Sequence, residues 1–145
     1  DLHPFVAQAT IRDLLMMATP HRYGHCTYTR SDPDWADTYF RTPPTHLPGR
    51  IFSYDTTATV MLSILVRRIT GEEFLDYLRP RLLDPLGISR EAWCVETPCR
   101  HSWGGSGVLF TARDLAKFAL FCMRRGRTGG CQIVPEEFMA AATSR

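Results

Sequence analysis

The stretch PGRIFSYDTTATVMLSILVRRITG occupies residues 48–71. A Pro48-Gly49 turn leads into Phe52-Ser53-Tyr54, and a long apolar segment follows. Val60, Met61, Ile64, Leu65 and Ile69 recur at helical spacing, which predicts a helix with one inward face. Leu62 and Val66 widen that face, so the helix is expected to be central and nearly surrounded. Asp55 and Thr56 are residue types favoured at helix starts, where a side-chain oxygen satisfies an amide left without a partner. Arg67 and Arg68 suit the other end, where cations favour the helix dipole. Tyr54 at the mouth of this helix has two readings. It is an aromatic packed at the entrance with its hydroxyl in water, or a side chain aimed at a substrate.

The bulk composition narrows the choice. A chain of 145 residues with 44% hydrophobic and 22% charged residues fits a globular domain of ordinary size. No apolar run reaches the ~18 residues of a membrane span, and the first residues lack the basic-then-apolar pattern of a signal peptide. The net charge is +2 with both signs interspersed, which argues against a nucleic-acid surface. Lys117 is the only lysine. Because arginine stays protonated, a lysine base must be Lys117 or come from other polypeptide. The cysteines, Cys26, Cys94, Cys99, Cys122 and Cys131, are odd in number and irregularly spaced, so reduced thiols are expected. Cys94, Cys99 and His101 are close in sequence, but without a paired CxxC they do not make a zinc motif. No metal or cofactor is expected.

Working outward, Thr10 to Asp13 reads as a capping box opening a short helix from Ile11 to Ala18. His21 to Arg30 reads as a polar and aromatic loop whose His21, Tyr23 and His25 either border a site or are simply solvated. Asp32-Pro33 reads as a cap and first residue of a helix to Phe40, with Trp35, Tyr39 and Phe40 as local core. Thr70 to Glu73 fits a second capping box. It opens a helix through Leu83 that Pro80 kinks or splits. Ser89 to Ser102 is mixed, with Trp93 and Val95 as strand candidates. Trp103-Gly104-Gly105-Ser106-Gly107 implies a sharp turn or a close backbone approach. A phosphate loop would require a following Gly-Lys-Ser/Thr, which is absent. Thr111 to Asp114 fits a third capping box. Leu115, Phe118, Ala119, Cys122 and Met123 then form an apolar stripe, with Lys117 off it and facing water. A turn at 126–130, a short extended piece at 132–134 and a helix over 135–142 complete the chain.

Taken in order, TIRDLLMMAT, PGRIFSYDTTATVMLSILVRRITGEEFLDYLRPRLLDPLGI and WGGSGVLFTARDLAKFALFCMRRGRTGGCQIVPEEFMAAATS resemble the class C β-lactamase-related serine hydrolases, a family that includes DD-peptidases and esterases. The resemblance covers nearly the whole chain from Thr10. It implies a mainly α fold, namely the helical domain of the β-lactamase-like fold with short irregular or β pieces. Residues 1–145 would form one helical segment. The α/β domain, the upstream Ser-x-x-Lys motif and the downstream closing strand would lie outside it. Tyr54-Asp55-Thr56 matches the family's Tyr-x-Asn motif, with Thr56 where asparagine usually stands. A threonine hydroxyl lacks the amide's paired donor and acceptor. This departure fits an esterase-like or uncharacterised branch better than a committed β-lactamase.

The resemblance implies that Tyr54 is the catalytic base, and the chemistry explains its needs. A serine hydroxyl is a weak nucleophile until a base takes its proton. A phenol ordinarily titrates near ~10 and serves as that base only beside a positive charge. Residue 114 is aspartate, so Lys117 does not complete a Ser-x-x-Lys motif, and no Gly-x-Ser-x-Gly is present. This segment alone is therefore expected to be inactive. Thr56, Trp103, Gly104 and Gly105 are the candidate substrate contacts. Thr56 is alternatively a cap, and the glycines alternatively a tight turn. The expected partners are a small ester or amide, the α/β domain and, through an exposed apolar patch near Tyr54, a second copy of the segment. The rival reading is a non-catalytic binding or assembly module on the same helices.

Overall fold

A computed structural model describes residues 1–22 and 34–144. Tyr23, His25, Cys26, Asp32 and Pro33 lie outside the described residues. The contacts divide the chain into two compact units, one of residues 1–74 with 94–107 and the other of residues 75–93 with 108–145.

The first unit holds α1 (Pro4–Ala7), α2 (Ile11–Leu15), α3 (Trp35–Arg41) and α4 (Thr56–Thr70). The Thr10–Asp13 capping box is formed. The Asp13 amide donates to Thr10 Oγ1 at 3.2 Å, and the Thr10 amide donates to Asp13 Oδ2 at 2.8 Å. The helix nevertheless stops at Leu15, short of the expected Ala18, because Met17 takes a positive φ of 54°. A right-handed helix cannot continue through that conformation. The cap of α3 is Asp34 rather than Asp32. Its carboxylate accepts from the amides of Ala36 and Asp37 at 2.9 and 3.1 Å.

Trp35 and Tyr39 are buried as expected, whereas Phe40, expected in the core, is exposed. His21, expected to be solvated, is fully buried. Its Nε2 lies 3.0 Å from the Thr42 carbonyl oxygen, and its ring meets Tyr39 edge-on at 4.7 Å. Tyr39 and Met61 form a small core with Leu14, Ala36 and Ile64. Helix α4 is enclosed through its first half, where Ala58 and Val60 have no exposed surface. Its last turn emerges, and Ile69 is 73% exposed instead of facing inward.

Residues 94–107 fold back on themselves. The Val95 amide donates to the Gly107 carbonyl at 2.9 Å, and the Trp103 amide to the Val95 carbonyl at 2.8 Å. This excursion is tied to the end of α4 by Glu73. The Glu73 carboxylate pairs with Arg67, accepts from the Ser102 amide at 3.1 Å and lies 3.5 Å from His101 Nδ1. Glu73 therefore does not serve the expected second capping box. Gly71, at a φ of 77°, ends α4 at that point, as glycine does at many helix C-termini.

The second unit begins within α5 (Phe74–Leu78), which passes into a π-helical turn, Arg79–Leu83. Pro80 falls in that turn, where its missing amide hydrogen forces the expected break. Strands β1 (Trp93–Cys94) and β2 (Val108–Leu109) are two residues each. Helix α6 (Ala112–Met123) precedes a hairpin of β3 (Arg127–Thr128) and β4 (Cys131–Gln132), paired antiparallel with Arg127 opposite Gln132. Helix α7 (Glu136–Thr143) closes the chain. The core consists of Leu83, Leu86, Ile88, Ala92, Phe121 and Met139.

The expected inward stripe of α6 is overturned. Asp114 and Phe121 are its buried residues, while Leu115 is exposed and Met123 is 81% exposed. The cause is polar. Asp114 accepts from the Thr111 hydroxyl at 2.7 Å, the Ser89 amide at 3.2 Å and the Lys117 ammonium at 3.0 Å. Lys117 also donates to the Gly87 carbonyl. Holding Asp114 and Lys117 inward turns Leu115, Ala119 and Met123 outward. Lys117 is thus half-buried and doubly bonded rather than solvated.

The Thr111 hydroxyl, opposed in part by burial and aided by Lys117 and the Ser89 amide, lowers the Asp114 carboxyl from 3.8 to about 2. A carboxylate favoured in the folded state contributes stability that is full above its unfolded value and is lost as pH falls toward its folded value. Urea midpoints of the wild-type chain should therefore fall between pH 4 and pH 2. Asp114→Asn should be less stable near neutrality and lose less over that acid range.

Candidate active-site segment

Tyr54 sits immediately before the cap of α4 and is held from both sides by one residue. The Ser53 amide donates to the Met17 carbonyl oxygen at 2.8 Å, and the Asp55 amide lies 3.3 Å from Met17 Sδ. The positive φ that ends α2 allows Met17 to present its carbonyl and thioether to the same short strand of backbone. Tyr54 is 54% exposed, so its phenol is reachable rather than sealed in a core.

Asp55 is the N-cap. Its Oδ1 accepts the Thr57 amide at 2.9 Å, and its Oδ2 accepts the Thr19 hydroxyl at 3.2 Å. Thr19 has no exposed surface, so this bond anchors the start of α4 to the chain segment after α2. The cap reading of Thr56 is corrected, since Thr56 is the first helical residue. Among the described residues its hydroxyl has no hydrogen-bond partner.

The glycine-dense segment presses directly on α4. A Cβ on Gly104 would stand 2.6 Å from the Ser63 Cβ, and one on Gly105 would stand 2.3 Å from the Thr56 Cγ2 and 2.8 Å from the Thr56 carbonyl oxygen. The close approach anticipated at these glycines is therefore to the helix backbone. Ser63 fastens it. Its hydroxyl donates to the Ser102 carbonyl at 2.8 Å and accepts the Gly104 amide at 3.3 Å. Trp103 meets Trp35 edge-on at 5.5 Å, and its buried indole Nε1 has no hydrogen-bond partner among the described residues. Thr56, Gly104 and Gly105 are thus brought together with Trp103 beside them, and Tyr54 precedes Thr56 by two residues.

Sequence reasoning missed Met17, Thr19 and Ser63. Ser63 left a trace, as the polar interruption of an apolar run, whereas the other two depend on tertiary contacts. Cys94 is buried, and burial pushes its thiol up, which marks it as an unreactive packed cysteine. Among the described residues no three His, Cys, Asp or Glu side chains are grouped to hold a metal ion.

The chain is mainly helical and shares the fold of β-lactamase-like proteins. The profile of the Beta-lactamase family matches residues 4–144, and this chain belongs to that family of β-lactamase-related serine hydrolases. The 6-aminohexanoate-dimer hydrolase of Paenarthrobacter ureafaciens is 30% identical over 110 residues, which are 74% of this chain and 28% of that protein. Two solved structures share the fold. The octameric penicillin-binding protein homologue of Pyrococcus abyssi has a TM-score of 0.70 at 20% identity, over 96% of this chain and 39% of that one. The D-amino acid amidase of Ochrobactrum anthropi SV3 has a TM-score of 0.69 at 19% identity, over 95% of this chain and 49% of that one. The chain spans less than half the length of each of these proteins.

Two substitutions test the local architecture. Gly105→Ala should cost about 1–3 kcal/mol in urea denaturation, because the added methyl group meets helix backbone that cannot yield freely. Asp55→Ala should cost about 1–2 kcal/mol through loss of the cap and of the Thr19 bond.

Proposed function

We propose that this chain is the helical portion of a serine hydrolase that cleaves an amide or ester through an acyl-serine intermediate, with Tyr54 as general base. The observation that carries this reading is the exposed Tyr54, fixed on both flanks by Met17, at the family's Tyr-x-Asn position. The nucleophilic serine and an accompanying lysine come from an α/β domain outside this chain. Lys117 is already engaged by Asp114 and the Gly87 carbonyl, so the ammonium that Tyr54 requires is a different one.

In the proposed cycle the serine hydroxyl oxygen bonds to the substrate carbonyl carbon as its proton passes to the Tyr54 phenolate. The bond to the leaving amine or alcohol breaks, and the leaving group takes that proton. Water then attacks the acyl-serine, giving up a proton to Tyr54; the bond from the acyl carbon to the serine oxygen breaks, that oxygen takes the proton back from Tyr54, and the acid departs. Hydrogen-bond donors of the α/β domain hold the transient oxyanion, which is usually the largest single contribution to such a reaction. Thr56, with an uncommitted hydroxyl, and the Trp103-Gly104-Gly105 backbone orient the substrate. The name of the Paenarthrobacter ureafaciens relative favours an amide of a small acid as the substrate class. The chemistry uses no metal or cofactor.

The remaining surface fits a part of a larger protein. Leu115, Leu120 and Met123 leave an apolar strip on α6, which the α/β domain or another copy of the segment would cover. Alone, the chain should self-associate as concentration rises, and a monomer by light scattering at every concentration would count against this.

The activity test uses the full-length protein, with the sequence preceding Asp1 and following Arg145 restored. It should hydrolyse an activated ester. Tyr54→Phe should lower kcat by about 10²–10⁴ with KM little changed, and residues 1–145 alone should give no turnover. Full-length protein with its serine intact that never turns over such an ester, or a Tyr54→Phe variant of unchanged kcat, would favour the binding or assembly module.

A further inference from the structure

The first unit contains a concavity that the proposed chemistry does not use. A cavity of about 370 Å³ opens among α1, α2, α3 and α4, and Val6, Leu14, Met61, Ile64, Leu65 and Arg68 contribute to its lining. Its volume is in the range of small-molecule sites. Its walls are mainly apolar, and among the described residues Arg68 is the only charged one that lines it. Along α4, Arg68 stands 12 residues beyond Thr56, or about 18 Å at the helical rise, so its guanidinium belongs to the far end of the helix from Tyr54.

The two neighbouring arginines differ in what they do. Arg67 pairs with Glu73 and approaches His101. Among the described residues Arg68 has no ion-pair or side-chain hydrogen-bond partner. Asp13 of the adjacent helix α2, which does not line the cavity, is already satisfied by the amide and hydroxyl of Thr10. A guanidinium at the mouth of an apolar cavity is complementary to one shape of molecule. That molecule has an acidic head that meets the planar donors and a hydrocarbon tail that fills the space behind. The partial negative charge at the end of α4 opposes an anion there, and the two adjacent arginines offset it. A neutral apolar ligand would use the cavity and leave Arg68 in water. A polar anion would use Arg68 and leave the cavity unfilled.

We infer that this cavity binds an amphiphilic monocarboxylate of medium chain length, with the carboxylate on Arg68 and the alkyl chain against Leu14, Met61, Ile64 and Leu65. The site is formed by the helices of this chain alone. It is therefore independent of whether the full-length protein hydrolyses an ester.

The test is calorimetric titration of the full-length protein with sodium decanoate kept below its micelle concentration, with octanoate and decanol in parallel. Decanoate should bind saturably at a single site, and octanoate more weakly by about fourfold per methylene removed. Decanol should bind at least tenfold more weakly. Arg68→Gln changes a solvent-exposed side chain and should fold normally by circular dichroism. It should lose about tenfold in decanoate affinity while its affinity for decanol is unchanged. Ala36→Phe, which places a ring into the cavity, should abolish binding of both. The proposal is overturned if decanoate gives no saturable binding, if decanol binds as tightly as decanoate, or if Arg68→Gln binds decanoate like wild type. Loss of decanoate binding on raising protein concentration, with dimer appearing by light scattering, would instead assign the cavity to a second copy of the chain.

Discussion

The first amides of a helix have no acceptor within it, and at α4 the acceptor is Asp55. Its carboxylate does two things at once. One oxygen caps Thr57, and the other holds the buried hydroxyl of Thr19, so the start of the helix and the chain after α2 become one rigid point. The candidate active-site residues of the first unit are referred to that point. Tyr54 is its immediate neighbour, Thr56 is the first residue beyond it, and Met17 braces the backbone before it. A cap worth about 1 kcal/mol in an isolated helix here fixes the position of a candidate catalytic side chain.

The glycine segment is the second constraint. Glycine beside a candidate catalytic residue invites the reading that a ligand must come close. Here the surface approached is α4 itself, and any side chain at Gly104 or Gly105 would collide with Ser63 or Thr56. The two readings are compatible, because a backbone held tightly against the helix start is also a backbone held beside Thr56. Ser63 makes the arrangement durable, since a buried hydroxyl with both donor and acceptor roles filled avoids the cost of an unsatisfied polar group.

The second unit has its own polar anchor. Asp114 draws Lys117, Thr111 and the Ser89 amide inward, and in doing so it sets the rotation of α6. Apolar side chains that a stripe analysis assigns to the core are left at the surface. A single buried carboxylate with good partners outweighs the orientation preference of several apolar side chains, because leaving it unpaired in the interior would cost more than exposing them. This also removes the only lysine from the list of available bases, which is why the proposed chemistry draws its ammonium from other polypeptide.

The sequence by itself determined the family, a mainly helical chain and most helix starts. Those features rest on local order: the spacing of apolar residues, hydroxyl and carboxylate caps such as Thr10 with Asp13, and the matching blocks from Thr10 onward. It also singled out Tyr54, through a three-residue motif at a helix mouth. Tertiary structure decided the rest, because each remaining point depends on residues distant in the chain. The end of α2 follows from the φ of Met17, the fate of Glu73 from the fold-back of residues 94–107, and the face of α6 from Ser89 and Gly87 reaching Asp114 and Lys117. Periodicity states which residues share a face of a helix, but it does not state which face meets the core when a buried ion pair competes for that position.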